Sequence, residues 1–104
     1  QTIKAYNHEI QKGGMIVIDC FANWCPPCKK LKPVLERIYQ ENTYPDVRFY
    51  AIDVDAAAEL AEHLEIQSLP TLLFIQDGKK IKAESGFGGE ARLHSLLKNT
   101  FKKP

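Results

Sequence analysis

The sequence has almost no charge excess: 14 lysines and arginines against 13 aspartates and glutamates leave a formal net charge of +1. That balance supplies no extended field to hold a nucleic-acid backbone or an anionic membrane. No apolar run approaches the roughly 20 residues needed to cross a bilayer, and none has the shape of a secretory signal. There is no internal repeat, low-complexity tract or linker-like stretch. Three cysteines are too few for a disulfide-stapled scaffold, and an odd number cannot all pair within one chain. The three histidines, His8, His63 and His94, are scattered, and no second cysteine pair accompanies the first, so the ligand set of a structural zinc is missing. The chain opens on Gln1 rather than methionine, which leaves room for a trimmed leader carrying an address.

What is present is enough for one domain. The 104 residues are 44% hydrophobic and 26% charged, as in an ordinary globular domain spanning 1–104. Thr2 caps a first helix in which Ile3, Tyr6 and Ile10 share a face, ending at Gly13-Gly14. Met15 to Ala22 is an apolar run with one acid inside, the pattern of a strand buried on both faces. From Cys28 to Glu41 the apolar positions Leu31, Val34, Leu35 and Ile38 follow a helical face. Val47 to Val54 is a second strand, and Asp55 caps a short helix carrying Leu60, Ala61 and Leu64. Thr71 to Ile75 and Lys80 to Ala83 flank Asp77-Gly78, a two-residue hairpin signal. A last helix runs from Glu90 to Phe101, with Leu93, Leu96, Leu97 and Phe101 inward and Lys98, Lys102 and Lys103 near its negative end.

The resulting order, α-β-α-β-α-β-β-α, predicts a right-handed parallel β-α-β unit extended by an antiparallel hairpin. The fold class is therefore α/β: a mixed sheet of four or five strands with helices on both faces. In such sheets the reactive crevice lies beyond the carboxyl ends of the strands, where the stretch FANWCPPCKK falls.

Cys25 and Cys28 stand three apart. On a helix such residues are neighbours, within reach of the Cα separation of about 4.4–6.8 Å that a disulfide needs. If Cys25 caps the helix, the pair can open and close without moving the fold. Free N–H groups and the helix dipole then favour a thiolate at Cys25 near neutral pH. Cys28 lies one turn deeper and is expected to be more covered. Cys25 can attack a substrate disulfide, and Cys28 can resolve the mixed disulfide. Pro26 and Pro27 suit the first helical turn, since their missing N–H groups would be orphans there. They also withdraw two donors from the Cys25 sulfur and leave the Cys28 N–H, which points to a weaker oxidant than a pair with a histidine between the sulfurs.

These residues resemble the thioredoxin family over nearly the whole chain. The likeness is carried by Trp24 to Lys29 (WCPPCK), by Asp19 six residues before Cys25, and by Pro33 five after Cys28. Leu69-Pro70-Thr71 matches the cis-proline loop, and Gly86 matches the glycine after the last strand. The resemblance implies that Cys25 attacks, that Cys28 resolves, and that Asp19 handles the Cys28 proton. A lone acid in an apolar strand reads either as a satisfied core acid or as a group titrating near neutrality, and the family favours the second. Trp24, Pro26, Pro27, Leu69, Pro70 and Gly86 are implied to form the substrate surface, with strand-like pairing beside the proline loop.

Departures are the Pro-Pro dipeptide in place of Gly-Pro, a missing or very short first strand, and Cys20. Cys20 reads as a buried inert thiol or as a site of pairing with a partner. Lys29, Lys30 and Lys32 either raise the potential around Cys25 or form a solvated face.

The expected activity is reduction of disulfides in substrate proteins by dithiol exchange, with no organic cofactor beyond the Cys25–Cys28 pair. A flavoprotein thioredoxin reductase or a small dithiol would recycle it. The expected protein is a cytoplasmic monomer with no nucleic-acid or membrane partner. Alternatives are an oxidase or isomerase of a secretory compartment, and a binding module that bridges an iron–sulfur cluster or binds a partner according to redox state.

Overall fold

The computed structural model describes residues 2–102, so Lys103, expected beside the last helix, lies outside the described residues. Thr2 is the N-cap of helix α1 (Ile3–Ile10), its hydroxyl accepting from the Ala5 N–H at 3.0 Å. Strand β1 (Met15–Phe21) feeds helix α2 (Pro26–Gln40), which leads to strand β2 (Val47–Asp53). Helix α3 (Ala58–His63), the hairpin of β3 (Thr71–Gln76) and β4 (Lys79–Ser85), and helix α4 (Glu90–Asn99) complete the order. It is the order expected from the apolar spacing.

Among the described residues the sheet has four strands, arranged β2-β1-β3-β4. β1 and β2 are parallel, and β3 is antiparallel to β1 and β4. The hairpin turns on Asp77 and Gly78, at φ +51° and +83°. Both sit in the left-handed region that a two-residue turn of this type requires. Asp77 also accepts the Gly14 N–H at 2.9 Å, tying the turn to the start of β1.

Central strands are apolar on both faces because each face meets helices. Toward α2 and α4, Val17, Leu72 and Phe74 pack with Leu31, Leu35, Ile38, Leu93 and Phe101. Toward α1 and α3, Ile16, Ile18, Cys20, Leu73 and Ile75 pack with Leu60 and with Ile3, Tyr6 and Ile10. Each fully buried large side chain contributes roughly 1.5–3 kcal/mol.

Two expected boundaries change. Asp55 does not cap the third helix: the N-cap is Ala57, which makes no side-chain cap bond. Instead Asp53, two residues earlier at the end of β2, accepts the N–H groups of Asp55 and Ala56 on Oδ1. A chain leaving a strand is already turning there, and an Asx-type turn satisfies those donors first. The last helix ends at Asn99 rather than Phe101. Phe101 still reaches the core, where its ring lies 5.7 Å from that of Phe74, and Gln76 holds Lys102 through two hydrogen bonds.

Candidate active site

β1 ends at Phe21, and Asn23 and Trp24 carry the chain over the carboxyl edge of the sheet into α2. Cys25 is the N-cap of that helix, with Pro26 and Pro27 as its first residues. Both prolines are exposed and have no N–H to leave unpaired. The next amide, that of Cys28, donates to the Cys25 sulfur at 3.3 Å. Cys25 and Cys28 form a disulfide with Cα atoms 5.3 Å apart. The helix therefore presents its first free donor to one sulfur of the pair and carries the other one turn inside.

The expected greater cover of Cys28 is slight in the disulfide form. Cys25 is 4% exposed and Cys28 3%. In the closed pair each sulfur shields the other, and Ala22, Phe21, Val54 and Leu69 pack around both. What distinguishes them is position: Cys25 sits outside the helical ladder as an acceptor, and Cys28 within it.

Leu69 comes from the loop before β3 and belongs to this apolar collar. The Leu69–Pro70 peptide bond is cis, and Pro70 is fully buried. The Pro70 carbonyl accepts the Gly86 N–H at 2.8 Å, and Gly86 has φ +81°. The residues at 69, 70 and 86 thus form one connected rim although they lie far apart in sequence.

Asp19 points from β1 toward α2, on the same strand face as Val17 and Phe21. It is 6% exposed, and its Oδ1 is buried without a hydrogen-bond partner. Burial raises its pKa to about 6, with Lys32 opposing the rise. Asp19 and Lys32 both line a pocket of about 250 Å³ between α2 and β2. Lys32 also stands 5.9 Å from the centroid of the Phe21 ring.

Cys20 is a free cysteine with no exposed surface, on the opposite strand face from Asp19. Burial pushes its thiol up to about 12, and the neighbouring Asp19 charge adds to that. Among the described residues no group of three or more histidine, cysteine or acidic side chains is placed to hold a metal ion.

The structure adds partners that spacing did not reveal. Trp24 is 66% exposed, and its Nε1–H donates to Asp55 Oδ2 at 2.8 Å. Asn23 donates to Asp53 Oδ2 at 3.4 Å. Phe21 and Val54 flank the disulfide. No periodicity links these pairs, which are 30 or so residues apart; only the parallel register that sets Phe21 opposite Asp53 joins them.

The geometry has clear relatives. The thioredoxin family model matches residues 1–99. The thioredoxin of Mycoplasmoides gallisepticum is 43% identical over 83 residues, covering 80% of this chain and 81% of that protein. The thioredoxin of Chlamydia trachomatis is 38% identical over 84 residues, covering 81% and 80%. The crystal structure of oxidised mitochondrial thioredoxin 3 from Saccharomyces cerevisiae superposes with a TM-score of 0.84 at 33% identity, covering 94% of this chain and 90% of that one. Kinship over nearly the whole chain and a closed sulfur pair at a helix mouth lead to the same conclusion: this chain belongs to the thioredoxin family and is a thiol–disulfide oxidoreductase.

Proposed function

We propose that the protein reduces disulfides in other polypeptides, with Cys25 as the attacking sulfur and Cys28 as the resolving one. The observation that carries this reading is the N-cap position of Cys25, whose sulfur accepts the Cys28 N–H. In the reduced protein that amide and the helix dipole favour the Cys25 thiolate. The thiolate attacks one substrate sulfur, forms a mixed disulfide and releases the other substrate sulfur as a thiolate that takes up a proton. Cys28 then loses its proton and attacks Cys25. This expels the second substrate thiolate and closes the Cys25–Cys28 disulfide. Two electrons pass from the dithiol to the substrate.

Asp19 is the proton acceptor for Cys28 in this scheme. With a pKa near 6 it is mainly carboxylate at neutral pH and can take a proton and return it to water. Trp24, Pro26, Pro27, Leu69 and Gly86 form the docking surface for the polypeptide around the disulfide, and the buried Pro70 shapes it from beneath. The Trp-Cys-Pro-Pro-Cys sequence supports the reducing direction, since only one amide reaches the Cys25 sulfur and a less stabilised thiolate makes a weaker oxidant.

A disulfide-reducing flavoprotein such as thioredoxin reductase, or a small dithiol, would restore the dithiol. A compartment kept reducing, the cytoplasm, suits this direction. Reduction of insulin disulfides with dithiothreitol as donor tests the assignment. The Cys25→Ser protein is expected to be inactive and the Cys28→Ser protein to accumulate mixed disulfides. Full turnover by Cys25→Ser overturns it.

A further inference from the structure

The loop that brings Leu69 to the disulfide is a bend over residues 68–70, outside the strand ladder that begins at Thr71. Three hydrogen bonds tie it down. The Ser68 carbonyl accepts from the Thr71 hydroxyl at 2.6 Å. The Pro70 carbonyl accepts the Gly86 N–H at 2.8 Å. The third bond joins two side chains: the Ser68 hydroxyl donates to Ser85 Oγ at 2.9 Å. Ser85 is the last residue of β4, opposite Thr71 in the ladder, and stands immediately before Gly86. Ser68 stands immediately before Leu69. The hydroxyl pair therefore spans the same gap as the Pro70–Gly86 bond, on the other side of Leu69.

Both serines are exposed, and each could bond water instead, so the pair is weak alone. The strand already fixes Ser85, and the Thr71 bond already fixes the Ser68 backbone. Closing the pair then costs only side-chain rotamer freedom. A rim held this way before any substrate arrives costs less to order on binding. We propose that Ser68 and Ser85 are positioning residues, a hydroxyl clasp that sets the gap between Leu69 and Gly86 along which a polypeptide disulfide lies. This rests on the reading of Leu69 and Gly86 as docking surface. The clasp acts on the wall of the site and leaves the sulfurs alone. A polypeptide lying along the rim feels it, whereas a small disulfide engages the sulfur only.

The test compares Ser68→Ala, Ser85→Ala, the double variant, Ser85→Thr and Leu69→Ala in the reduction of insulin and of dithiobis-nitrobenzoate. Either single alanine raises the KM for insulin roughly two- to fivefold, the effect of one lost neutral hydrogen bond. The loss appears in KM rather than kcat, and the small disulfide shows no matching rise. The double variant is no worse than either single one, because a clasp is lost only once. Ser85→Thr keeps the hydroxyl on a residue that suits a strand and stays near the parent. Hydrogen exchange of the Gly86 amide reads the rim without substrate: Ser68→Ala speeds it, and Ser85→Thr does not. Alanine effects that multiply in the double variant overturn the clasp, because the serines then act separately. Equal losses on both disulfides overturn it too, as does a raised KM with Gly86 exchange unchanged. If Leu69→Ala raises the insulin KM and neither serine variant does, the clasp is wrong and the docking surface stands. If Leu69→Ala leaves insulin binding unchanged, the docking surface itself is misassigned, and the clasp falls with it.

Discussion

The Gly86 N–H donates to the Pro70 carbonyl at 2.8 Å, joining the end of β4 to the loop beside the disulfide. Gly86 does this at φ +81° with open space where a Cβ would stand. Its requirement is therefore conformational rather than steric. An L side chain in the left-handed region costs about 1–2 kcal/mol. Gly86→Val is expected to lower Tm by about 5–10 °C and to raise the KM for insulin as the rim shifts. Calorimetry and steady-state reduction check both effects, and a variant matching the parent in both contradicts the role of this glycine.

Cys20 should take no part in exchange. It has no exposed surface, and its thiol is pushed up to about 12 by burial. After reduction, iodoacetamide at pH 8 is expected to label Cys25 first, Cys28 more slowly, and Cys20 only in denaturant. Mass spectrometry of timed samples reads the order. Cys20→Ala should retain insulin reduction and lose about 1 kcal/mol of stability.

Asp19 stabilises the fold less as it ionises. Its pKa lies near 6 in the native protein against an ordinary value of 3.8, so the native state binds the proton more tightly than the unfolded chain. The contribution is therefore present in acid, falls as pH rises between those two values, and is fully lost above about 6. Asp19→Asn removes that loss. It is expected to stabilise the protein by about 2–3 kcal/mol at pH 8, with the gain shrinking toward pH 4, as read by urea unfolding at each pH. The same variant should slow the resolution by Cys28 of mixed disulfides formed on Cys25.

Lys32 shares the α2–β2 pocket with Asp19 and favours its charged form. Replacing it with Met removes the cation and keeps most of the stem over Phe21. The acid limb of the turnover profile should then move to higher pH, because Asp19 holds its proton longer. Lys32→Arg should restore the parental profile. Glu36, Tyr39 and Tyr50 line the same pocket and are unchanged in both variants, so a shift isolates the Lys32 charge.

Much of the site was legible because it is local. The three-residue spacing of Cys25 and Cys28, the prolines between them, and the acid buried in an apolar strand are each explained within one helix turn or one strand. The helix face at Leu31, Leu35 and Ile38 and the turn at Asp77-Gly78 were readable for the same reason. Asp55 was misread as a cap because its real partner, Trp24, lies 31 residues away. Arg48 gave no signal at all. It reaches the carbonyls of Glu9 and Gly13 from the neighbouring strand and closes the end of α1.

The amino-acid order alone decided the elements, their sequence along the chain and the identity of the sulfur pair, because periodicity and short-range geometry are properties of neighbouring residues. Tertiary structure decided how much of each sulfur is covered, which acid holds the indole, and which carbonyl the Gly86 amide finds. Those depend on strand register and helix packing, which bring together residues that no local pattern relates.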